Sequence, residues 1–107
     1  MPSQRRQASI LGMAAVFDKG HFVHMTSGDA ALQAEIIELF RGQVANWSAA
    51  IAQPAQNWRD IVHTLKGSAR GIGLMALAEA CERAEAEGEA RLGDVRAALA
   101  EALAALP

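Results

Sequence analysis

The chain has 107 residues, a formal net charge of −2 and a pI near 5.9. This length fits one domain that can bury a core without staples, and the slight negative charge argues against general nucleic-acid binding. The single cysteine excludes an internal disulfide. The sequence shows neither a signal-peptide pattern nor an apolar run long enough to span a membrane. We therefore expect a cytoplasmic protein with no membrane partner.

The N-terminal part of the sequence is the least regular. Residues 1–9 are mostly polar and are predicted to be a mobile segment, whereas residues 10–107 are predicted to form one helical domain. The stretch from Phe17 to Met25 can form a short first helix, although Gly20 interrupts it.

A long helix is predicted from about Asp29 to Ala52. The segment from Thr26 to Asp29 is typical of a helix N-terminus, because side-chain oxygens there accept hydrogen bonds from free backbone N–H groups. Pro54 ends the helix. Apolar residues recur at three- and four-residue steps and are predicted to face the core: Leu32, Ile36, Leu39, Phe40, Val44, Trp47 and Ile51.

Three more helices complete the pattern. The connection after Pro54 is short, so the next helix should return antiparallel and end at Gly73, which suits a left-handed cap. Another helix stops near Gly88, and the last extends from about Gly93 to Leu106. No long stretch alternates with the period of a strand. The predicted fold is all-α: an antiparallel four-helix bundle with a short N-terminal cap helix.

The helix that ends at Gly73 has two distinct faces. At about 100° per residue, its apolar side chains share one broad face: Trp58, Ile61, Val62, Leu65, Ala69 and Ile72. The opposite face holds Arg59, His63, Lys66, Gly67 and Arg70. A glycine inside a helix costs about 1 kcal/mol relative to alanine. Since nothing in the apolar pattern requires Gly67, we interpret it as clearing space for a group that approaches the imidazole of His63.

These residues carry a family resemblance. The segment His63-Thr-Leu-Lys66-Gly67-Ser68-Ala69, followed by Ile72-Gly73, Leu77 and Cys81-Glu82, resembles the signature of histidine-containing phosphotransfer (HPt) domains of bacterial and fungal phosphorelays. The resemblance implies that His63 relays a phosphoryl group between the receiver-domain aspartates of a hybrid histidine kinase and a response regulator. It further implies that the receiver supplies the aspartate and Mg²⁺, so the chain needs no cofactor and is a phosphocarrier without autonomous catalysis.

The residues around His63 can be given roles. A neutral imidazole is the nucleophile, and a histidine in water is mostly neutral at pH 7. Lys66 and Arg70 are expected to offset the charge of the phosphoryl group by charge-assisted hydrogen bonds. The resemblance suggests Nε2 as the phosphorylated atom. The remaining roles are access or docking for Arg59 and Gly67, and helix support for Ser68, through a carbonyl one turn back, and for Gly73.

Four residues outside this helix are also assigned roles. Glu85 lies where some family members place an uncharged polar residue near the histidine. We hypothesise that its carboxylate, if it approaches closely, repels the phosphoryl group and so shortens the phosphohistidine lifetime or aids release of the phosphoryl group. Family receivers often dock on the first two helices beside the histidine, which makes Gln43 and Glu35 interface candidates. Cys81 is predicted to fill the core.

Two other functions remain open. One is a dimeric phosphoacceptor fragment of a sensor kinase, although such fragments usually carry an acidic residue directly after the histidine, where this chain has Thr64, and no ATP-binding region is evident. The other is a helical adaptor that is not phosphorylated. A monomer is expected for the phosphocarrier and an obligate dimer for the kinase fragment.

A metal site is not predicted. His21 and His24 could share one helical face, but two ligands are too few for a structural zinc site. The other candidates, His63 and Cys81, are distant in sequence or predicted to be buried.

Overall fold

The computed structural model describes residues 14–107. Their helices are α1 Lys19–Met25, α2 Ala30–Ala52, α3 Trp58–Ile72, α4 Met75–Glu87 and α5 Leu92–Ala105, with a 3₁₀ turn at Glu89–Arg91 before α5. The long helices α2 to α5 form the predicted four-helix bundle, and α1 packs against α3 as a short additional helix. The all-α prediction is thus confirmed, while the predicted mobile segment 1–9 and the domain start at residue 10 lie outside the described residues. None of the described helices is long and apolar enough to cross a membrane.

Two aspartates begin the first two helices. The Asp18 side chain accepts a hydrogen bond from the backbone N–H of His21 at 3.0 Å, and Asp29 accepts one from Leu32 at 3.1 Å. Thr26 has a different role from the one predicted, because it ends α1 and is buried. Its hydroxyl donates a hydrogen bond to the Phe22 carbonyl at the end of α1, at 2.8 Å. The N-terminal cap of α2 is therefore the Asp29 side chain.

The inward face of α2 differs from the prediction at two leucines. Leu39 is 65% exposed and Leu32 is 39% exposed, whereas the neighbouring Ile37 is buried. Ile36 and Val44 are only partly buried against the core. Apolar residues cover more than one face of this helix, and its position against α3 and α5 decides which of them are buried. The helix therefore leaves apolar side chains in solvent.

The core is centred on α3 and α4. Val62, Leu65, Leu77 and Val95 are at most 1% exposed. Cys81 is buried among them, as predicted, and its thiol belongs to the packing between helices. Burial of side chains of this size contributes about 1.5–3 kcal/mol each, which holds α4 firmly beside α3.

The turn between α3 and α4 depends on a glycine. Gly73 has φ of 99°, the left-handed conformation expected of a helix cap, and its N–H donates to the carbonyls of Ala69 and Arg70. Its own carbonyl accepts from the N–H of Asp18 at 2.8 Å. This close approach connects the segment before α1 to the turn, and the turn sets α4 antiparallel to α3.

Candidate functional site

The two faces of α3 agree with the helical-wheel analysis. Trp58, Val62, Leu65, Ala69 and Ile72 are buried. On the other face, His63 is 69% exposed in the middle of the helix, where the buried face holds its backbone in place. A histidine so placed can meet a reacting group of another protein.

Among residues 14–107, the imidazole of His63 has one hydrogen-bonding partner. Its Nδ1 lies 2.9 Å from Oε2 of Glu85, which α4 carries across from α3. An ionised carboxylate can only accept a hydrogen bond, so the contact requires the hydrogen of the neutral ring on Nδ1. Nε2 then holds the free lone pair, which makes it the nucleophilic atom of the ring.

The same carboxylate also contacts Lys66. Its Oε1 lies 2.6 Å from the ammonium nitrogen, and the Lys66 side chain is only 14% exposed because it extends along the surface toward α4. Partial burial acts to raise the pKa of the Glu85 carboxyl, but hydrogen bonds from Lys66 and His63 outweigh this effect and hold the pKa below its ordinary value. Glu85 is therefore a charged bridge between the histidine and the nearest lysine.

The other two cations of the predicted group are engaged elsewhere. Arg70 forms an ion pair with Glu82 at 3.0 Å. Arg59 donates from Nε to the backbone carbonyl of Glu85 at 3.4 Å, and its guanidinium lies 4.6 Å from the centre of the Trp58 ring. The helical period of the sequence placed these cations on the correct face of α3, but it could not identify their partners on α4.

An apolar groove lies beside the histidine, between α2 and α3. Its volume is about 280 Å³, and Gly67 and Gly71 form part of its α3 wall. A Cβ atom built on Gly67 would meet nothing within 4 Å, so packing within the described residues does not explain this glycine. The exposed Leu39 and the interface candidate Gln43 line the α2 side of the groove. Leu39, which was wrongly predicted to face the core, is thus part of the surface next to the site.

Ser68 and Thr64 flank this surface. Ser68 is half-buried and lines the groove. The hydroxyl of Thr64 makes the kind of bond that was expected of Ser68, because it donates to the Asp60 carbonyl one turn back at 3.1 Å. Among residues 14–107 there is no group of three or more histidine, cysteine or acidic side chains arranged to hold a metal ion.

The fold and the exposed histidine together define a class of protein. A helical bundle that presents one imidazole at mid-helix, beside a lysine and an open glycine, is suited to accept a group from a partner and pass it on.

Comparisons with known proteins agree with this class. The family model described as "Hpt domain" matches residues 31–107, and the chain belongs to this family. The structure is similar to the crystal structure of the histidine phosphotransferase ShpA from Caulobacter crescentus, with 39% identity, a TM-score of 0.76, and coverage of 86% of this chain and 88% of that chain. No curated protein sequence matches the chain. The predicted family is confirmed, and the function of the chain is histidine phosphotransfer in a phosphorelay.

Proposed function

We propose that His63 is the phosphoacceptor, and that its Nε2 relays the phosphoryl group between the receiver aspartates of a hybrid histidine kinase and a response regulator. The observation that carries the proposal is the position of the ring: 69% exposed, with Nδ1 bound to Glu85 and Nε2 facing away from that carboxylate. The ring needs no further base in the chain, because its nucleophilic nitrogen is already unprotonated.

The transfer balances without a proton from solvent. The Nε2 lone pair attacks phosphorus of the aspartyl phosphate, the N–P bond forms, and the P–O bond to the aspartate breaks. The receiver carboxylate leaves as an anion, and the histidine becomes a phosphorylated ring that keeps its hydrogen on Nδ1. The reverse transfer regenerates the neutral ring, so the site can both accept and donate.

The residues of this chain position the imidazole and offset the negative charge of the phosphoryl group. Lys66 is the cation nearest to His63 in sequence, and both side chains contact the Glu85 carboxylate. Its ammonium group can donate a charge-assisted hydrogen bond to a phosphoryl oxygen. Arg70 holds Glu82 through one guanidinium nitrogen and has further N–H groups that can donate to a phosphoryl oxygen. The chain is a phosphocarrier without autonomous catalysis: the aspartate and the Mg²⁺ that offsets phosphoryl charge belong to the receiver, and the chain requires no cofactor of its own.

The groove beside Gly67 is the proposed docking surface for the receiver. It is apolar and open, and its wall includes Gly67, which lies one turn after His63 on α3. A glycine there lets a partner backbone approach the imidazole more closely than any other residue would. We expect the chain to be a monomer, which light scattering of the purified chain would test.

Phosphotransfer from a panel of phosphorylated receiver domains tests the proposal. Wild type should acquire acid-labile, base-stable phosphate from one or two receivers, and His63→Gln should acquire none. His24→Gln is a matched control, because His24 is an exposed histidine on α1 and should not affect labelling. Equal labelling of wild type and His63→Gln, or no labelling of the folded wild type by any receiver, would overturn the assignment.

A further inference from the structure

The bridge made by Glu85 has a second consequence for the phosphorylated state. We propose that Glu85 is a positioning residue that retains the hydrogen on Nδ1 of phosphorylated His63 and so keeps the phosphoryl group ready to leave. The inference rests on the proposed phosphorylation of His63 at Nε2. It replaces the earlier hypothesis of direct repulsion, because the carboxylate contacts the ring nitrogen opposite to the reacting one.

The protonation state of the phosphorylated ring decides how easily it donates. When Nδ1 carries a hydrogen, the breaking N–P bond releases a neutral imidazole. When Nδ1 has lost that hydrogen, the same step would release an imidazolate anion, which is a much poorer leaving group. A carboxylate 2.9 Å from Nδ1 stabilises the protonated, positively charged ring through a charge-assisted hydrogen bond.

A carboxylate is the only common side chain that suits both contacts of this bridge. Glu85 receives Nδ1 on one oxygen and the Lys66 ammonium on the other. A glutamine has a single oxygen, and the lysine, which has no acceptor, competes for it. The amide nitrogen would then face Nδ1 and favour the ring form without a hydrogen there.

The other charged groups on this surface do not duplicate the contact. Among the described residues, the charged side chains nearest to the imidazole along α3 and α4 are Arg59, Asp60, Lys66, Arg70, Glu82 and Glu85. The α1 and α2 residues that line the adjacent groove are all uncharged: Met25, Ile36, Leu39, Phe40, Gln43 and Trp47. Glu82 lies one turn before Glu85 on α4 but pairs with Arg70 instead of the imidazole. Replacement of Glu82 by glutamine therefore removes one negative charge from the same helix without removing the bond to Nδ1.

The experiment uses the intact chain phosphorylated chemically with phosphoramidate, so that no partner is needed. The rate of phosphate loss from His63, resolved by NMR from any label on His21 and His24, is measured against pH for wild type, Glu85→Gln and Glu82→Gln, with circular dichroism as a check on folding. The rate should fall as pH rises, with a midpoint where Nδ1 loses its hydrogen. In Glu85→Gln we expect this midpoint to move down by roughly half to one pH unit, which makes decay above the midpoint about three- to tenfold slower. In Glu82→Gln the midpoint should stay close to that of wild type.

A midpoint in Glu85→Gln equal to that of wild type would overturn the inference, as would an equal shift in Glu82→Gln. The nitrogen-15 spectrum of wild type supplies a measurement that does not depend on any variant. At neutral pH the phosphorylated ring should carry a hydrogen on Nδ1, and its absence would also overturn the inference. Failure of the proposed function is a separate result, because no receiver would then label His63, whereas phosphoramidate would still label this exposed ring.

Discussion

Gly67 offers the sharpest test of how the site is used, because stability and phosphotransfer should respond in opposite directions when it is replaced. A Cβ at this position meets nothing within 4 Å, and the residue lies in the interior of α3. Gly67→Ala should therefore stabilise the fold by about 1 kcal/mol through helix propensity alone. In a domain of this size, such a gain raises Tm by roughly 4–8 °C.

The effect on transfer should grow with side-chain size. Gly67→Gln places a long side chain beside the imidazole, in the groove proposed to receive the partner, and should slow transfer from a phosphorylated receiver at least about tenfold, a barrier increase of about 1.4 kcal/mol. Labelling by phosphoramidate should change little, because this small donor does not need the groove. The assays are thermal denaturation and the two labelling rates.

Gly42 provides the matched control. It is an exposed glycine inside α2 that also has nothing within 4 Å of an added Cβ, and it is not among the residues that line the groove. Gly42→Gln should leave both labelling rates unchanged. A Gly67→Ala variant that is less stable than wild type would refute the reasoning about open space. Normal receiver transfer in Gly67→Gln would refute the docking surface.

Three further predictions concern the fold around the site. Gly73→Ala should destabilise the chain by well over about 1 kcal/mol in urea unfolding, because a Cβ there would lie 2.6 Å from the Asp18 carbonyl oxygen and the backbone has a φ of 99°. Gly71→Ala is the control and should not destabilise the chain, because an added Cβ meets nothing within 4 Å. Equal effects of the two substitutions would contradict the clash. Glu85 has a pKa below the ordinary 4.5, so its contribution to stability is present above that pH and is lost as pH falls through the lowered value. The stability advantage of wild type over Glu85→Gln, about 1 kcal/mol or less, should hold at pH 7 and disappear as pH falls below 4.5 through the lowered pKa, and a difference that does not change with pH would refute the ion-pair role. Burial, and to a smaller extent the nearby Glu85 charge, raises the pKa of the Cys81 thiol to about 12. A thiol reagent at about pH 8 should therefore modify Cys81 only as fast as the chain unfolds, and rapid reaction of the native chain would contradict its burial.

Much of the helical architecture was readable from local sequence signals. Aspartate and threonine near position 29, the proline at position 54 and the glycines at positions 73 and 88 mark where helices begin or end, and the observed bounds lie close to those predicted. Capping and chain termination act within a few residues, so they need no knowledge of the rest of the fold. The exposure of His63 was also predictable, because a strongly two-faced helix must bury its apolar side.

The sequence was less informative where two helices meet. Leu39 fits an apolar stripe on α2 yet is 65% exposed, because the rotation of α2 against its neighbours follows the packing of the whole core. Thr26 fits a helix start, yet it completes the preceding helix. In both cases the local pattern was compatible with more than one outcome. Packing against other helices decided the exposure of Leu39, whereas Thr26 bonds to the Phe22 carbonyl one turn back.

The sequence by itself determined the family, the helices and the face on which His63, Lys66 and Gly67 lie, since side-chain direction along one helix follows from its period. Only the tertiary structure decided that Glu85 joins Nδ1 of His63 to Lys66, and that Glu82 engages Arg70. These pairs join residues 12 to 22 positions apart in the chain, on helices whose relative rotation is set by the buried side chains between them.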